Sequence, residues 1–301
     1  HRIGLCYKCN NVLEPLPLEQ WFIKMEPLAG PAIEAVKKGD TKIYPASFDK
    51  LYFQFLENIR DWNISRQVVW GIRIPAWKNK KTGEWMVTEG EVPSGEEWQQ
   101  DNDTFDTWFS SSQWPFATLQ TTQSGDFQTF YPTSVMETGY DILRWWVARM
   151  MMMGLYATGK VPFKNVVLHG LVNDPLGKKM SKSKGNVVNP LELVDQYGAD
   201  AVRFALVYGT ALGNDQALSY PKLEAARRFT NKLWNMGRFI IDFKPDDSQS
   251  EISDHADDKA IVAKLNEVIK TIDAAYASYR FNDISELLYE FTWHEFADKY
   301  I

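Results

Sequence analysis

Apolar positions recur along this chain at two different spacings. Phe48, Leu51, Tyr52, Phe55, Leu56 and Ile59 fall on one face at helical spacing, and Ser47 stands where it can cap that helix. Core packing is the expected use of this aromatic stripe. Upstream, residues 18–25 (L-E-Q-W-F-I-K-M) read as a strand, followed by a helix from Pro27 to Lys38 that Gly39 stops. Tyr131–Glu137 reads as a strand with Pro132 at its edge, turning at Gly139 into a helix from Tyr140 to about Tyr156. Val166–Val172 is the next strand. Short helices follow from Pro190 to Tyr197 and from about Asp200 to Tyr208, ended by Gly198 and Gly209. Strands alternating with helices predict an α/β fold with a parallel, doubly wound sheet.

Two stretches depart from that alternation. Pro75 limits Trp70–Trp77 to an edge strand or a turn, and the polar residues 78–103, with Trp85 and Met86 as their apolar centre, predict a short surface hairpin. From Lys222 onward Ala225, Phe229, Leu233, Met236 and Ile240 recur at helical spacing. An acidic, serine-bearing linker (245–258) then leads to helical patterns at about 259–279 and 282–299, the start of a helical bundle.

With 301 residues, 45% of them hydrophobic, the chain can bury a large core and is expected to hold two domains. Its net charge of −6 does not advertise a nucleic-acid binder, so any such attraction must be local. Two cysteines, no long apolar run and no leader-like start predict a soluble, cytoplasmic protein with no disulfide framework and no membrane partner. Cys6-x-x-Cys9 has the spacing of half a zinc site, but a tetrahedral ion needs four ligands. The pair is therefore either a half site completed elsewhere or two small thiols in a hairpin, and zinc is not expected on this chain alone.

Chemistry concentrates in Gly177–Asn186, G-K-K-M-S-K-S-K-G-N, between an apolar strand and the helix start Asn189-Pro190. Lys178, Lys179, Lys182 and Lys184 with two serines between glycines make either a solvated turn or a polyphosphate loop. In open α/β sheets ligands gather at the carboxyl ends of strands. Two such ends occur here. At Gly139-Tyr140-Asp141 the aspartate either stabilises the helix start or accepts hydrogen bonds from vicinal hydroxyls. At His169-Gly170 the histidine is either a structural hydrogen-bonding residue or a ligand contact.

Lys179-Met180-Ser181-Lys182-Ser183 is the KMSKS signature of class I aminoacyl-tRNA synthetases, and the flanks resemble the valyl enzymes. The similar stretches are Leu168–Pro190, W-G-I-R-I-P-A-W (Trp70–Trp77), D-T-W-F-S-S (Asp106–Ser111) and T-G-Y-D-I (Thr138–Ile142), and the resemblance runs over nearly the whole chain. One departure is Ile72, where many bacterial relatives carry histidine. Another is the 78–103 region, which lacks the cysteine pairs of longer relatives.

The resemblance implies the second half of a class I Rossmann-type parallel sheet followed by the start of an anticodon-binding helical bundle. Its expected divisions are 1–17 (end of an inserted editing or connective region), 18–220 (nucleotide-binding) and 221–301 (bundle). It implies Lys179 and Lys182 as charge-stabilising catalytic residues. Gly139, Asp141, His169, Gly170, Met180, Ser181 and Ser183 would bind ATP, with Asp141 on the ribose. Trp108, Ile142 and Trp146 would wall the valine pocket, while Trp145 is expected in the core. Valine, ATP and tRNA(Val) are the implied partners, Mg²⁺ the implied ion and a monomer the implied state.

No H-x-G-H signature occurs in the sequence, so the chain is expected to be an internal piece of a longer synthetase, without editing and inactive by itself. The alternatives are an isoleucyl-type enzyme, whose G-x-D usually continues with glutamine where Ile142 stands, or a non-catalytic module that binds tRNA or nucleotide.

Overall fold

The computed structural model describes residues 3–6, 9–14, 16–91, 93–181, 185–243 and 255–301. At its centre lies a parallel sheet in which Phe163–His169 runs between Lys42–Tyr44 and Thr133–Gly139. Phe163, Val166, Val167 and Leu168 are buried, as a parallel strand covered on both faces requires. Helix Glu26–Lys37 turns Ala29, Ala32 and Ala35 inward, and these small residues let it pack on Ala148–Thr158, which buries Met150, Met151 and Met152. Tyr52, fully buried on helix Asp49–Glu57, donates its hydroxyl to the Ala32 carbonyl at 3.1 Å. Thr41 does the same to the Phe163 carbonyl at 2.7 Å, so both buried hydroxyls are satisfied. The fold is mixed α/β with a parallel sheet, as the alternation of patterns predicts.

Several elements differ from expectation. The 18–25 strand shrinks to Phe22–Ile23, paired antiparallel with Trp62–Asn63. Ser47 caps nothing, because Pro45 opens a 3-10 turn, Ala46–Phe48, that carries the chain into the α-helix from its side. The region 78–103 is not a simple hairpin. Ala76–Asn79 becomes the middle of a three-stranded antiparallel sheet, between Trp85–Val87 and Trp98–Gln100. The helix expected from Tyr140 is assembled from a 3-10 turn (Tyr140–Ile142), a π-helical stretch (Leu143–Val147) and the α-helix Ala148–Thr158.

A second core holds Leu193, Ala201, Val202, Ala205, Leu218 and Leu223. It joins helices Pro190–Tyr197, Ala199–Val207 and Tyr220–Asp242 to the short parallel pair Val172–Asn173 and Gln216–Ala217. Asn189 caps the first of these helices through the Leu191 N–H at 3.0 Å, as its position before Pro190 suggests. On Tyr220–Asp242 the buried residues are Leu223, Ala226 and Phe229, while Ala225, Leu233 and Ile240 face solvent. The partners that pack here, Ala199–Val207 and the 291–300 segment, select that neighbouring stripe. Ala256–Ala277 and Phe281–Glu290 follow, the latter running into a π-helical stretch, Phe291–Tyr300. Most of the 245–258 linker lies outside the described residues. No helix among the described residues is long and apolar enough to cross a membrane.

Candidate functional site

The parallel register sets His169 opposite Gly139, so both strands end at the same level and release their chains on one edge of the sheet. A Cβ on Gly139 would lie 2.8 Å from Asp141 Oδ1, so the missing side chain is what lets Asp141 fold back over the strand end. The His169 ring is engaged locally, with Nδ1 2.7 Å from the Gly170 carbonyl and Nε2 3.2 Å from Glu137 Oε1. The Asn214 carbonyl approaches Gly170 so closely that a Cβ there would lie 1.8 Å from it. Close packing thus accounts for this glycine without any ligand. Asp215, unnoticed in the sequence, ties the segment down by accepting from the Leu171 N–H at 2.7 Å and the Tyr140 hydroxyl at 3.2 Å. That bond raises the Tyr140 pKa, since losing the phenol proton would place two negative oxygens together.

Across this edge comes the lysine loop. Lys179 Nζ lies 4.0 Å from Asp141 Oδ2, so two residues nearly forty positions apart meet at the carboxyl end of the sheet. Met180 turns its sulfur to the Val188 N–H at 3.3 Å, and the Ser181 N–H donates to Asn186 Oδ1 at 2.9 Å. Lys182 and Ser183 lie outside the described residues. Asp174 and Asn186, which sequence reasoning passed over, bond to each other and to the loop backbone. Both lie inside the Leu168–Pro190 stretch, but individually they read as ordinary turn residues, Asp174-Pro175-Leu176-Gly177 and Gly185-Asn186.

Among the aromatic residues Trp145 departs from expectation. Trp146 is half-buried against the main core and donates its indole N–H to the Ser111 carbonyl at 3.0 Å. This seats it on the short helix Thr107–Ser111 that carries Trp108. Ile142 is half-buried at the end of the 3-10 turn. Trp146, four positions on, sits in the π-helical stretch, so the two do not stand in an α-helical i, i+4 relation. Trp145, expected in the core, is 43% exposed and lines a cavity of about 550 Å³ with Trp108, Trp62, Arg66, Asp106 and Arg149.

Arg149 is the residue missed here, a lone charge at the head of a run of methionines. It is 6% exposed, with its guanidinium 3.9 Å over the Trp62 ring and 5.2 Å from that of Trp145. Burial pulls its pKa down to about 10, opposed by the nearby Asp106 carboxylate. Asp106 is itself occupied, accepting from Trp62 Nε1 at 2.9 Å, from Arg66 and from the Trp108 N–H.

The Asn10 N–H donates to the Cys6 carbonyl at 2.8 Å, and neither Cys6 nor Cys9 forms a disulfide. Among the described residues no group of three or more His, Cys, Asp or Glu gathers as a metal cage.

Comparison with known proteins finds relatives along the whole chain. The family described as tRNA synthetases class I (I, L, M and V) matches residues 7–97 and 91–219, and the anticodon-binding domain of tRNA ligase matches 258–301. A protein of Clostridium acetobutylicum named valine–tRNA ligase is 46% identical over 311 residues, covering 100% of this chain and 35% of its own. One of the same name from Dehalococcoides mccartyi is 47% identical with the same coverage. The chain thus spans 35% of the length of these relatives.

Among solved structures, Mycobacterium tuberculosis methionyl-tRNA synthetase in complex with methionyl-adenylate superposes with a TM-score of 0.71 at 18% identity, over 96% of this chain and 54% of that one. The ternary complex of Agrobacterium radiobacter K84 agnB2 LeuRS with tRNA and LeuAMS gives 0.62 at 24%, over 78% and 36%. At those identities the likeness is one of fold. The sequence match, spanning both the sheet and the lysine loop, is one of descent, and this chain belongs to the class I tRNA synthetases.

Proposed function

We propose that the protein containing this chain is a valine–tRNA ligase, which activates valine with ATP to valyl-adenylate and pyrophosphate and then transfers the valyl group to tRNA(Val). The observation that carries this reading is 46–47% identity along the whole chain to proteins of that name. In this reading residues 18–220 are the second half of a Rossmann-type nucleotide-binding domain, 221–301 the first helices of an anticodon-binding bundle, and 1–17 the end of an inserted region. The protein acts in the cytoplasm as a monomer.

Catalysis here is positioning plus charge stabilisation. Asp141 accepts hydrogen bonds from the ribose hydroxyls, and Gly139 lets backbone approach the nucleoside. His169, Gly170 and the Met180 backbone border the adenine and triphosphate. Lys179 and Lys182 stabilise the charge that grows on the α-phosphate and the departing pyrophosphate, with Ser181 and Ser183 ordering the loop. Trp108, Ile142 and Trp146 wall the valine side chain. Mg²⁺ would arrive with the triphosphate and neutralise phosphate charge there.

The test is ATP–pyrophosphate exchange by the full-length protein with each amino acid in turn, followed by aminoacylation of tRNA. Exchange that depends on valine supports the reading. A preference for isoleucine, or binding of nucleotide without exchange, overturns it.

A further inference from the structure

The lysine loop is held by two side chains that none of the roles above uses. Asp174 follows the strand Val172–Asn173 and is 5% exposed, with its carboxylate engaged on the loop. Oδ1 accepts from the N–H groups of Leu176 at 3.0 Å and Lys178 at 2.8 Å, and Oδ2 accepts from Asn186 Nδ2 at 2.9 Å. Asn186 completes the clamp. Its Oδ1 accepts from the Ser181 N–H at 2.9 Å, and its Nδ2 also reaches the Lys179 carbonyl at 3.2 Å. Two backbone bonds close the same turn, from the Asp174 N–H to the Lys178 carbonyl at 2.9 Å and from the Gly177 N–H to the Asp174 carbonyl at 2.8 Å. Gly177 has φ +75°, a left-handed conformation that this tight turn requires and that a side chain would strain.

Resting on the ligase reading, we propose that Asp174 and Asn186 are positioning residues for the ATP-dependent step. Neither would touch the nucleotide. Together they fix the backbone from Lys178 to Ser181, so that the Lys179 ammonium stands over the Asp141 end of the sheet before ATP arrives. A charge already in place stabilises a transition state better than one that must be ordered during the reaction. Charge alone is not what the clamp supplies, because its carboxylate faces amide donors. What it supplies is the direction in which the Lys179 peptide points.

The test uses the full-length protein and three variants. Asp174→Asn keeps the size of the side chain but sets an NH₂ group against the NH₂ of Asn186. Asn186→Asp sets two carboxylates face to face. Combining both changes restores one donor opposite one acceptor. Each single variant is expected to lower kcat for valine-dependent exchange on the order of tenfold, with KM for valine held within about twofold, because the loss falls on the chemical step. The double variant should regain a substantial part of kcat.

Single variants that exchange at the wild-type rate overturn the assignment. So does a double variant no better than the worse single one, or a fall in kcat matched by equal changes in valine KM and thermal midpoint. A wild-type protein with no exchange at all overturns the ligase reading, and this assignment with it. A wild type that exchanges alongside unaffected variants overturns this assignment alone.

Discussion

The Lys179 ammonium stands 4.0 Å from the Asp141 carboxylate, with 70% of one side chain and 40% of the other exposed. A pair so accessible to water contributes at most about 1 kcal/mol, so it cannot be what holds the loop in place. Incoming phosphate and ribose can therefore separate the two at little cost. Asp141→Asn in the full-length protein is expected to raise KM for ATP by about tenfold to a hundredfold, the loss of a hydrogen bond to a charged acceptor, while KM for valine stays put. Lys179→Ala should instead lower kcat for adenylate formation by about 10²–10³-fold. Lys182→Ala should match it, and Lys184→Ala, outside the five-residue signature, should cost far less. Rapid-quench measurement of adenylate formation reads all four variants.

Trp146 and Trp145 are neighbours in sequence with different surroundings, the first bonded to Ser111 and the second exposed beside Arg149. Trp146→Ala removes a wall beside Trp108 and leaves the Ser111 carbonyl without its donor, so KM for valine should rise and discrimination against isoleucine should fall. Ile142→Ala should widen the pocket toward isoleucine by about 1–2 kcal/mol, a scale for which the isoleucyl and valyl enzymes are themselves the usual example. Trp145→Ala should leave the valine-to-isoleucine ratio of kcat/KM unchanged. A ratio that moves only in the Trp145 variant would shift the pocket into the Arg149 cavity.

Arg149 offers a separation of shape from charge. Its guanidinium packs between two indoles, and the Asp106 carboxylate keeps Arg66 and Trp62 as partners when it is gone. Arg149→Met, which keeps a long unbranched side chain without the charge, should change stability by less than about 1.5 kcal/mol. Arg149→Ala empties the space between the rings and should cost about 2–4 kcal/mol. Denaturant unfolding followed by tryptophan fluorescence measures both. Equal losses would mean the charge matters more than the packing.

Gly170→Ala meets backbone at 1.8 Å, and backbone cannot swing aside as a side chain does. The crossing of 214–215 over the strand end must then open, costing roughly 1–3 kcal/mol as an overpacked contact. The thermal midpoint of the full-length protein should fall, and KM for ATP should rise with it as the strand ends separate. A variant with unchanged midpoint and raised KM would make Gly170 a nucleotide contact instead.

Asp174 also bears on pH. Hydrogen bonds from Asn186, Lys178 and Leu176 hold its pKa below the ordinary value of 3.8. A carboxylate depressed on folding contributes in full above its unfolded pKa and loses that contribution only as pH falls through the depressed one. The clamp therefore stays intact throughout the neutral range. Asp174→Asn should scale the exchange rate without moving the acid limb of its pH profile between pH 5 and 7, and a displaced limb would show that Asp174 titrates there.

The parallel sheet, the helix beginning at Asn189-Pro190 and the alternation that frames them were legible because each leaves a periodic or capping trace. The lysine loop was legible as chemistry because its residues are contiguous. Three features left no such trace. The π-helical stretch Leu143–Val147 shifts the register without changing the residue types that an α-helix would use, so the exposure of Trp145 left no trace in the sequence. Asp174 and Asn186 meet across twelve residues through side chain and backbone, a relation with no period. The long helix Tyr220–Asp242 is apolar on more than one face, and only its packing partners decide that Phe229 is buried while Leu233 is not.

The strand Thr133–Gly139 pairs on one side only among the described residues, and Val135 is exposed along it. Prepared alone, the chain carries one open edge along this seven-residue strand, where alternate backbone groups point away from the sheet. Such an edge is a template for adding another strand. Concentration then becomes a variable of its behaviour, and solutions of the bare chain should self-associate by pairing along this edge unless a complementary strand is supplied.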